Sequence, residues 1–401
     1  MNRWKRRLGY VALAGFVVFL AFAAAGCGGD DSGDGGGDKA ASTSIPGLGS
    51  DLDEIKAKAR EEGEVDVVQW AGYAQLTKEF KEQTGCTVKT KDGATSDDMI
   101  QLMSTGQYDG VSASGNASVR LMERGDVAPI DPELIPNYAD VQEGIKNQDY
   151  NSRDGQPYGV PHGRGPNLLA FRTDEVNPAP DSWSSIWDKN TPYKGKITIY
   201  DDSIFIADAA VYLKATKPDL GIDNPYQLNE EQFNAAVELL KGLAPNVGEW
   251  WADYAKQIQS YANKDVVVGT TWPIQVNILQ GDKQPVEGVK PKEGTTGWSD
   301  TWMIYSKAAH PNCMYLWMNH MISPEAQALV AEGFGEAPVN LKACELTKNQ
   351  NHCNEFHADD ESWWEDVYYW TTPVEDCADD DDSTTCKTQE DWKTAWTEIR
   401  G

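Results

Sequence analysis

Residues 297–303 read G-W-S-D-T-W-M and set one acid, Asp300, between two tryptophans, Trp298 and Trp302. Indoles are costly to expose and a carboxylate is costly to bury, so this mixture needs a reason. The chemistry it suits is the holding of a cation, by charge pairing with the carboxylate and by attraction to the faces of the rings. The competing reading is a buried strand end with one ill-placed acid. Trp302, two residues past Asp300 on the following strand, is expected to point into the core. Asp300 has little structural purpose inside W-S-D-T-W, and that favours an aromatic box.

Catalytic patterns are missing. The chain has no G-x-S-x-G, H-E-x-x-H, Walker A or G-x-G-x-x-G motif. Gly110–Gly115 has the flavour of a nucleophile turn but the wrong spacing. The acid run Asp379–Asp382 does not match the oxygen spacing of an EF-hand, and a charge run inside a short cysteine loop is usually solvated. No metal, no cofactor and no enzymatic activity are expected.

The elements that must position Asp300 alternate between helix and strand. Helices are expected at Leu52–Glu62, Leu76–Thr84, Ser96–Thr105 and Ala117–Arg124, with strands at Val65–Trp70, Cys86–Thr90 and Tyr108–Ser112. Such alternation means a parallel sheet covered by helices, with ligands outside the carboxyl ends of its strands. Those ends are Trp70-Ala71-Gly72-Tyr73 and Ser112-Ala113-Ser114-Gly115-Asn116. A second block from about Tyr158 holds strands at Leu168–Arg172, Ile197–Tyr200 and Val266–Trp272. Its helices are expected at Ile206–Thr216 and Glu230–Leu243, and two more cross 311–333. Trp70 and Trp272 each end an apolar strand, so each serves either as a cap on the core or as a wall of the site. The tail after Val339 is rich in Cys, Asp and Trp and reads as an appendage of the second lobe.

The N-terminus is a leader. Arg3, Lys5, Arg6 and Arg7 precede an apolar run from Val11 to Ala25 and then A-A-G-C, with Cys27 last. This is a secretory signal whose end has the form of a lipobox, so residues 1–26 are expected to be removed and Cys27 to carry lipid. The apolar run is short for a membrane span. A Gly, Asp and Ser-rich tether is expected over 27–50, since such a composition cannot build a core. The globular remainder is too long for one compact core and suits two lobes.

The formal charge is −28, and losing the four basic residues of the leader makes the chain more acidic still. That argues against nucleic acid or an anionic membrane surface as partners, and it is compatible with a cationic ligand. Beyond Cys27 there are Cys86, Cys313, Cys344, Cys353, Cys377 and Cys386, an even number in an exported chain. Local spacing favours Cys344–Cys353 and Cys377–Cys386 and leaves Cys86 with Cys313. His352 and His357 flank Cys353 loosely, and a structural disulfide fits that neighbourhood better than zinc.

The ordered motifs carry a family resemblance. D-S-W-S-S-I-W-D and Y-K-G-K-I-T-I-Y-D-D within 181–202, L-A-P-N-V at 243–247, V-V-V-G-T-T-W at 266–272 and K-E-G-T-T-G-W-S-D at 292–300 resemble the spermidine/putrescine-binding proteins of bacterial ABC importers. Y-D-G-V-S-A-S-G-N-A-S, G-R-G-P-N-L-L and G-F-G-E-A-P resemble a putrescine-type branch of that family. The likeness covers essentially all of 60–370. It implies a two-lobe α/β periplasmic-binding-protein fold of type II, with a hinge and a ligand cleft between the lobes. Lobe 1 would be 60–158 with 300–335, and lobe 2 would be 163–292 with 339–401. It also implies a small amine solute, membrane permease subunits with a separate ATPase as partners, and a monomer on the extracytoplasmic face.

Carried over position by position, the resemblance puts Trp70, Tyr73, Ser114, Trp272, Trp298 and Asp300 in the site, with Asp201 or Asp202 after the middle strand. Those two acids also suit a helix cap near Ile204, and Asp208 suits the first turn of that helix. There are departures. A second acid of lobe 2 falls at Phe205, an aromatic falls at Asn116, and a tyrosine falls at Glu336. His162-Gly163-Arg164 stands where aromatic residues are expected. An Arg164 facing the cleft would welcome a carboxylate, so a zwitterionic amino-acid-like or opine-like solute is the alternative ligand. A polyhydroxybutyrate synthase activity, ascribed to some relatives, finds no Cys–His–Asp set here.

Overall fold

The computed structural model describes residues 45–70, 72–73, 76–377 and 385–401. Cys27 and the acid run Asp379–Asp382 lie outside them, as do the expected leader and most of the expected tether. Among the described residues no helix is long and apolar enough to cross a membrane.

The elements form for local reasons. Helix Leu52–Glu62 starts at Asp51, whose side chain accepts from the N–H groups of Asp53 and Glu54, and stops at Gly63 with φ 72°. The next strand, Glu64–Gln69, buries Val65, Val67 and Val68 completely. This strand is the second of a five-stranded sheet ordered 87–92, 64–69, 110–113, 301–304, 159–161. The first three strands are parallel, as the alternation with helices requires. Thr301–Ile304 lies antiparallel to both of its neighbours because the chain comes back to this lobe from the other one.

The second lobe repeats the plan, ordered 247–251, 197–200, 268–271, 168–172, 286–289, with the first three strands parallel and 168–172 antiparallel to both of its neighbours. Between the lobes runs a three-stranded ribbon of Gly165–Pro166, Thr295–Trp298 and Val367–Tyr369. Each lobe keeps its own core, with Trp302, Trp317 and Phe80 in the first and Trp183, Trp251 and Trp392 in the second. The core position expected of Trp302 is the observed one: it is fully buried.

Two boundaries differ from expectation. Residues 45–50, expected in the tether, pack on the first lobe: Ile45 is buried there, and the Gly49 N–H donates to Asn312 Oδ1 at 2.9 Å. Ile45 and Leu48 give this stretch enough apolar surface to pack. The tail also stays with lobe 1 beyond Val339. The Asn340 amide donates to the Ile322 carbonyl, Lys342 pairs with Asp140, and residues 341–345 pack on helix Pro324–Phe334. The tail already touches lobe 2 at Trp363 and Asp366, where Lys290 donates to the Trp363 carbonyl and pairs with Asp366, and further on helix Gln389–Arg400 packs on helix Glu230–Leu243. The disulfides are Cys86–Cys313, Cys344–Cys353 and Cys377–Cys386.

Candidate functional site

Strand register brings Asp300 to its partner. Thr301 pairs with Ala113 and Trp302 with Ser112, so the next antiparallel step sets Asp300 opposite Ser114. Ser114 Oγ donates to Asp300 Oδ1 at 2.5 Å. Asp300 is 6 % exposed, and no described residue donates to its Oδ2. Burial pushes its carboxyl up from the ordinary range, against the charge of His162 and the Ser114 hydrogen bond.

These groups floor a cavity of about 260 Å³ between the lobes. Ser114, Trp298, Asp300 and Trp370 are its buried base, and half-buried Trp70, Tyr254, Trp272, Ile274 and Phe334 are its walls. Asp92 and Asp253 stand exposed at its rim. Among the described residues no lysine, arginine or histidine lines it. The Trp298 indole lies against residues 160–166, the first crossing between the lobes, where a Cβ on Gly165 would come within 2.3 Å of a ring carbon. Trp272 packs on Trp251 at 4.8 Å and Tyr200 at 5.2 Å in lobe 2, and meets Trp70 of lobe 1 edge-on at 6.3 Å. Lys393 of lobe 2 also reaches Asp97 of lobe 1 at 2.7 Å. The lobes are therefore drawn together around the cavity.

Beneath this floor lies a second layer. His162 and Glu336 are fully buried, with His162 Nδ1 3.7 Å from Glu336 Oε1. The other ring nitrogen of His162 lies 2.9 Å from the Tyr73 hydroxyl and 3.1 Å from Ser112 Oγ. The Glu336 carboxylate occupies the space a Cβ on Gly163 would need, at 2.2 Å. Burial raises its pKa, with Asp300 adding to the rise and His162 opposing it.

Of the residues expected from sequence, Trp70, Ser114, Trp272, Trp298 and Asp300 meet in this cavity. The others do not line it. Tyr73 is buried behind it against Phe334 and Trp302. Asn116 accepts from Ser96 Oγ at 2.9 Å at the start of its helix. Asp201 is held by the Trp396 indole N–H at 3.0 Å and Arg400 at 2.8 Å, because the tail helix packs over it. Asp202 caps the turn Ser203–Phe205 by accepting from the Ile204 N–H, and desolvation lifts its carboxyl to about 6.

Glu336 sits in the layer below, and Arg164 is directed away from the cleft. The Arg164 guanidinium forks onto Glu361 at 2.7 and 3.1 Å, donates to the Ala358 carbonyl and stacks 4.4 Å from the Trp364 ring. The neighbourhood that captures it comes from the tail, which the pattern of the first crossing does not reveal.

Sequence reasoning passed over Asp92, Asp253, Tyr254, Phe334 and Trp370. Trp370 had a signal in Y-Y-W at 368–370: its backbone N–H donates to the Gly297 carbonyl, and its ring stacks on Tyr200 at 5.8 Å. The lack of a side chain on Gly115 lets the Trp370 carbonyl approach, since a Cβ there would lie 1.7 Å from its oxygen.

Residues 75–397 match the family model described as bacterial extracellular solute-binding protein. The chain belongs to that family. It is 24% identical over 283 residues to the spermidine/putrescine-binding periplasmic protein of Escherichia coli K12, covering 69% of this chain and 78% of that one. It is likewise 24% identical over 297 residues to a putrescine/agmatine-binding protein of Pseudomonas aeruginosa, covering 71% and 81%.

Among solved structures, the spermidine/putrescine ABC transporter substrate-binding protein PotD of Streptococcus pneumoniae superposes with a TM-score of 0.66 at 19% identity, covering 84% of this chain and 97% of that one. The periplasmic binding protein MotA of A. tumefaciens B6, in complex with glucopine, gives 0.65 at 18% identity, covering 84% and 100%. The two-lobe binding-protein fold is thus shared. The matched relatives are solute-binding proteins and not enzymes.

Proposed function

We propose that the protein is an extracytoplasmic receptor of an ABC importer that captures a polyamine, putrescine-like or spermidine-like, in the cleft and delivers it to membrane permease subunits served by a separate ATPase. It acts as a monomer, tethered to the outer face of the membrane by lipid on Cys27. The observation that carries this reading is the pairing of buried Asp300 with the indoles of Trp70, Trp272 and Trp298 in a cavity with no cationic lining among the described residues. A carboxylate recognises an ammonium, and aromatic faces pack along methylenes while favouring cations.

The zwitterionic alternative needed Arg164 in the cleft. Its guanidinium is already committed to Glu361 and Trp364, which favours the polyamine. Titration of the cleft by tryptophan fluorescence tests the choice, with putrescine, spermidine, γ-aminobutyrate and a dicarboxylate as ligands. Saturation by the polyamines alone supports the proposal, and saturation only by the carboxylate-bearing ligands defeats it. Loss of membrane attachment on Cys27→Ser tests the anchor.

A further inference from the structure

We propose that Asp92 and Asp253 form a distal cation site at the rim of the cleft, so that the preferred ligands are α,ω-dications with one ammonium buried at Asp300 and the other head at the solvent edge. This rests on the reading of the cleft as an amine site and specifies the ligand class further.

Four observations carry it. Asp92 ends strand Thr87–Asp92 of lobe 1, and Asp253 follows strand Val247–Trp251 of lobe 2, so the two acids approach the same cavity from opposite lobes. Both are exposed, and neither has an ion-pair partner among the described residues. Among the described residues each accepts local hydrogen bonds at Oδ1 only: Asp92 from the Gln69 amide at 3.2 Å, and Asp253 from the Ala255 and Lys256 N–H groups at 2.8 and 3.2 Å. The cavity they share with Asp300 is walled by aromatic and aliphatic side chains, and the buried Asp300 keeps an oxygen without a donor among the described residues.

The physics favours a ligand charged at both ends. Two like charges on opposing lobes resist closure while the cleft is empty, and a cation between them turns that repulsion into attraction. The apolar walls offer a methylene chain a dry path from one acid to the others. Because both rim acids are exposed, that end leaves room for a head bulkier than ammonium, such as a guanidinium.

Calorimetric titration with putrescine and with n-butylamine tests this on the wild-type protein and on the double variant Asp92→Asn/Asp253→Asn. Asparagine keeps the oxygen that caps the helix after Asp253, and a thermal melt checks that the variant folds. Wild type should bind the diamine about tenfold or more tighter than the monoamine, and the variant should lose about tenfold for the diamine but stay within about twofold for the monoamine. Equal affinity of wild type for both ligands, or an undiminished preference in the variant, overturns the distal site and leaves the amine reading of the cleft standing. No binding of either amine to wild type defeats both.

Discussion

Ser114 and Asp300 stand 186 residues apart in the chain, yet Ser114 Oγ lies 2.5 Å from Asp300 Oδ1. The contact joins the end of a lobe 1 strand to residues 296–300, the second crossing between the lobes, and it orients the carboxylate that floors the cleft. It also favours the ionised form of Asp300, which burial disfavours.

Amine affinity should therefore depend on pH through Asp300. Its pKa lies above the usual carboxylate value, so binding weakens as pH falls, and at a higher pH than an exposed aspartate would show. Ser114→Ala removes a hydrogen bond to the carboxylate and should move this loss of affinity to still higher pH. Dissociation constants measured from pH 4 to 8 check the order, and superimposable wild-type and variant profiles would contradict it.

Asp208 gives a stability signature of its own. It is 2 % exposed, its Oδ1 accepts from Thr296 Oγ1 at 2.8 Å, and burial lifts its carboxyl from 3.8 to about 8. With the folded pKa above the unfolded one, the folded state holds the extra proton between those values, so stability falls as pH rises through that window. Asp202 acts in the same direction only up to about 6, which leaves the upper part of the window to Asp208. Asp208→Asn should thus raise Tm at pH 8 and leave it nearly unchanged at pH 3.5. A melting series across that range reads this, and an equal effect at both ends would refute it.

Arg164 is predicted to be structural. Arg164→Ala removes the contacts to Glu361, Ala358 and Trp364 and should cost about 2 kcal/mol of stability in denaturant unfolding. The ligand preference of the folded protein should not change. A variant that gains or loses affinity for carboxylate-bearing solutes would return Arg164 to the site.

The Asp97–Lys393 pair bridges the lobes at 2.7 Å with both side chains partly exposed. Such pairs contribute about 0.2–1 kcal/mol. Lys393→Ala should accelerate ligand release in stopped flow by about twofold to fivefold, with the effect shrinking at high salt. An unchanged release rate would remove this pair from the closed state.

Much of the fold was legible because alternation and caps are local signals. Val65, Val67 and Val68 mark their strand, and Asp51 and Gly63 bracket the helix before it. Asp300, Trp298 and Trp272 were legible because an acid among indoles, and an indole at a strand end, conflict with ordinary burial. What stayed hidden depends on distant segments. Arg164 is turned away by Glu361 and Ala358, nearly 200 residues further on, and Asp201 is covered by the tail helix through Trp396 and Arg400. Asp92 and Asp253 look like ordinary turn and cap acids until the lobes set them on one rim. The tail escaped because nothing local in Asn340 or Lys342 says which lobe will receive it.

The most direct test of the account is a calorimetric titration of putrescine and spermidine into the wild-type protein and into Asp300→Asn. The account predicts saturable binding to wild type and a loss of at least about a hundredfold in the variant, roughly 3 kcal/mol, with its melting temperature preserved. Polyamine affinity that survives the loss of the Asp300 charge would contradict it.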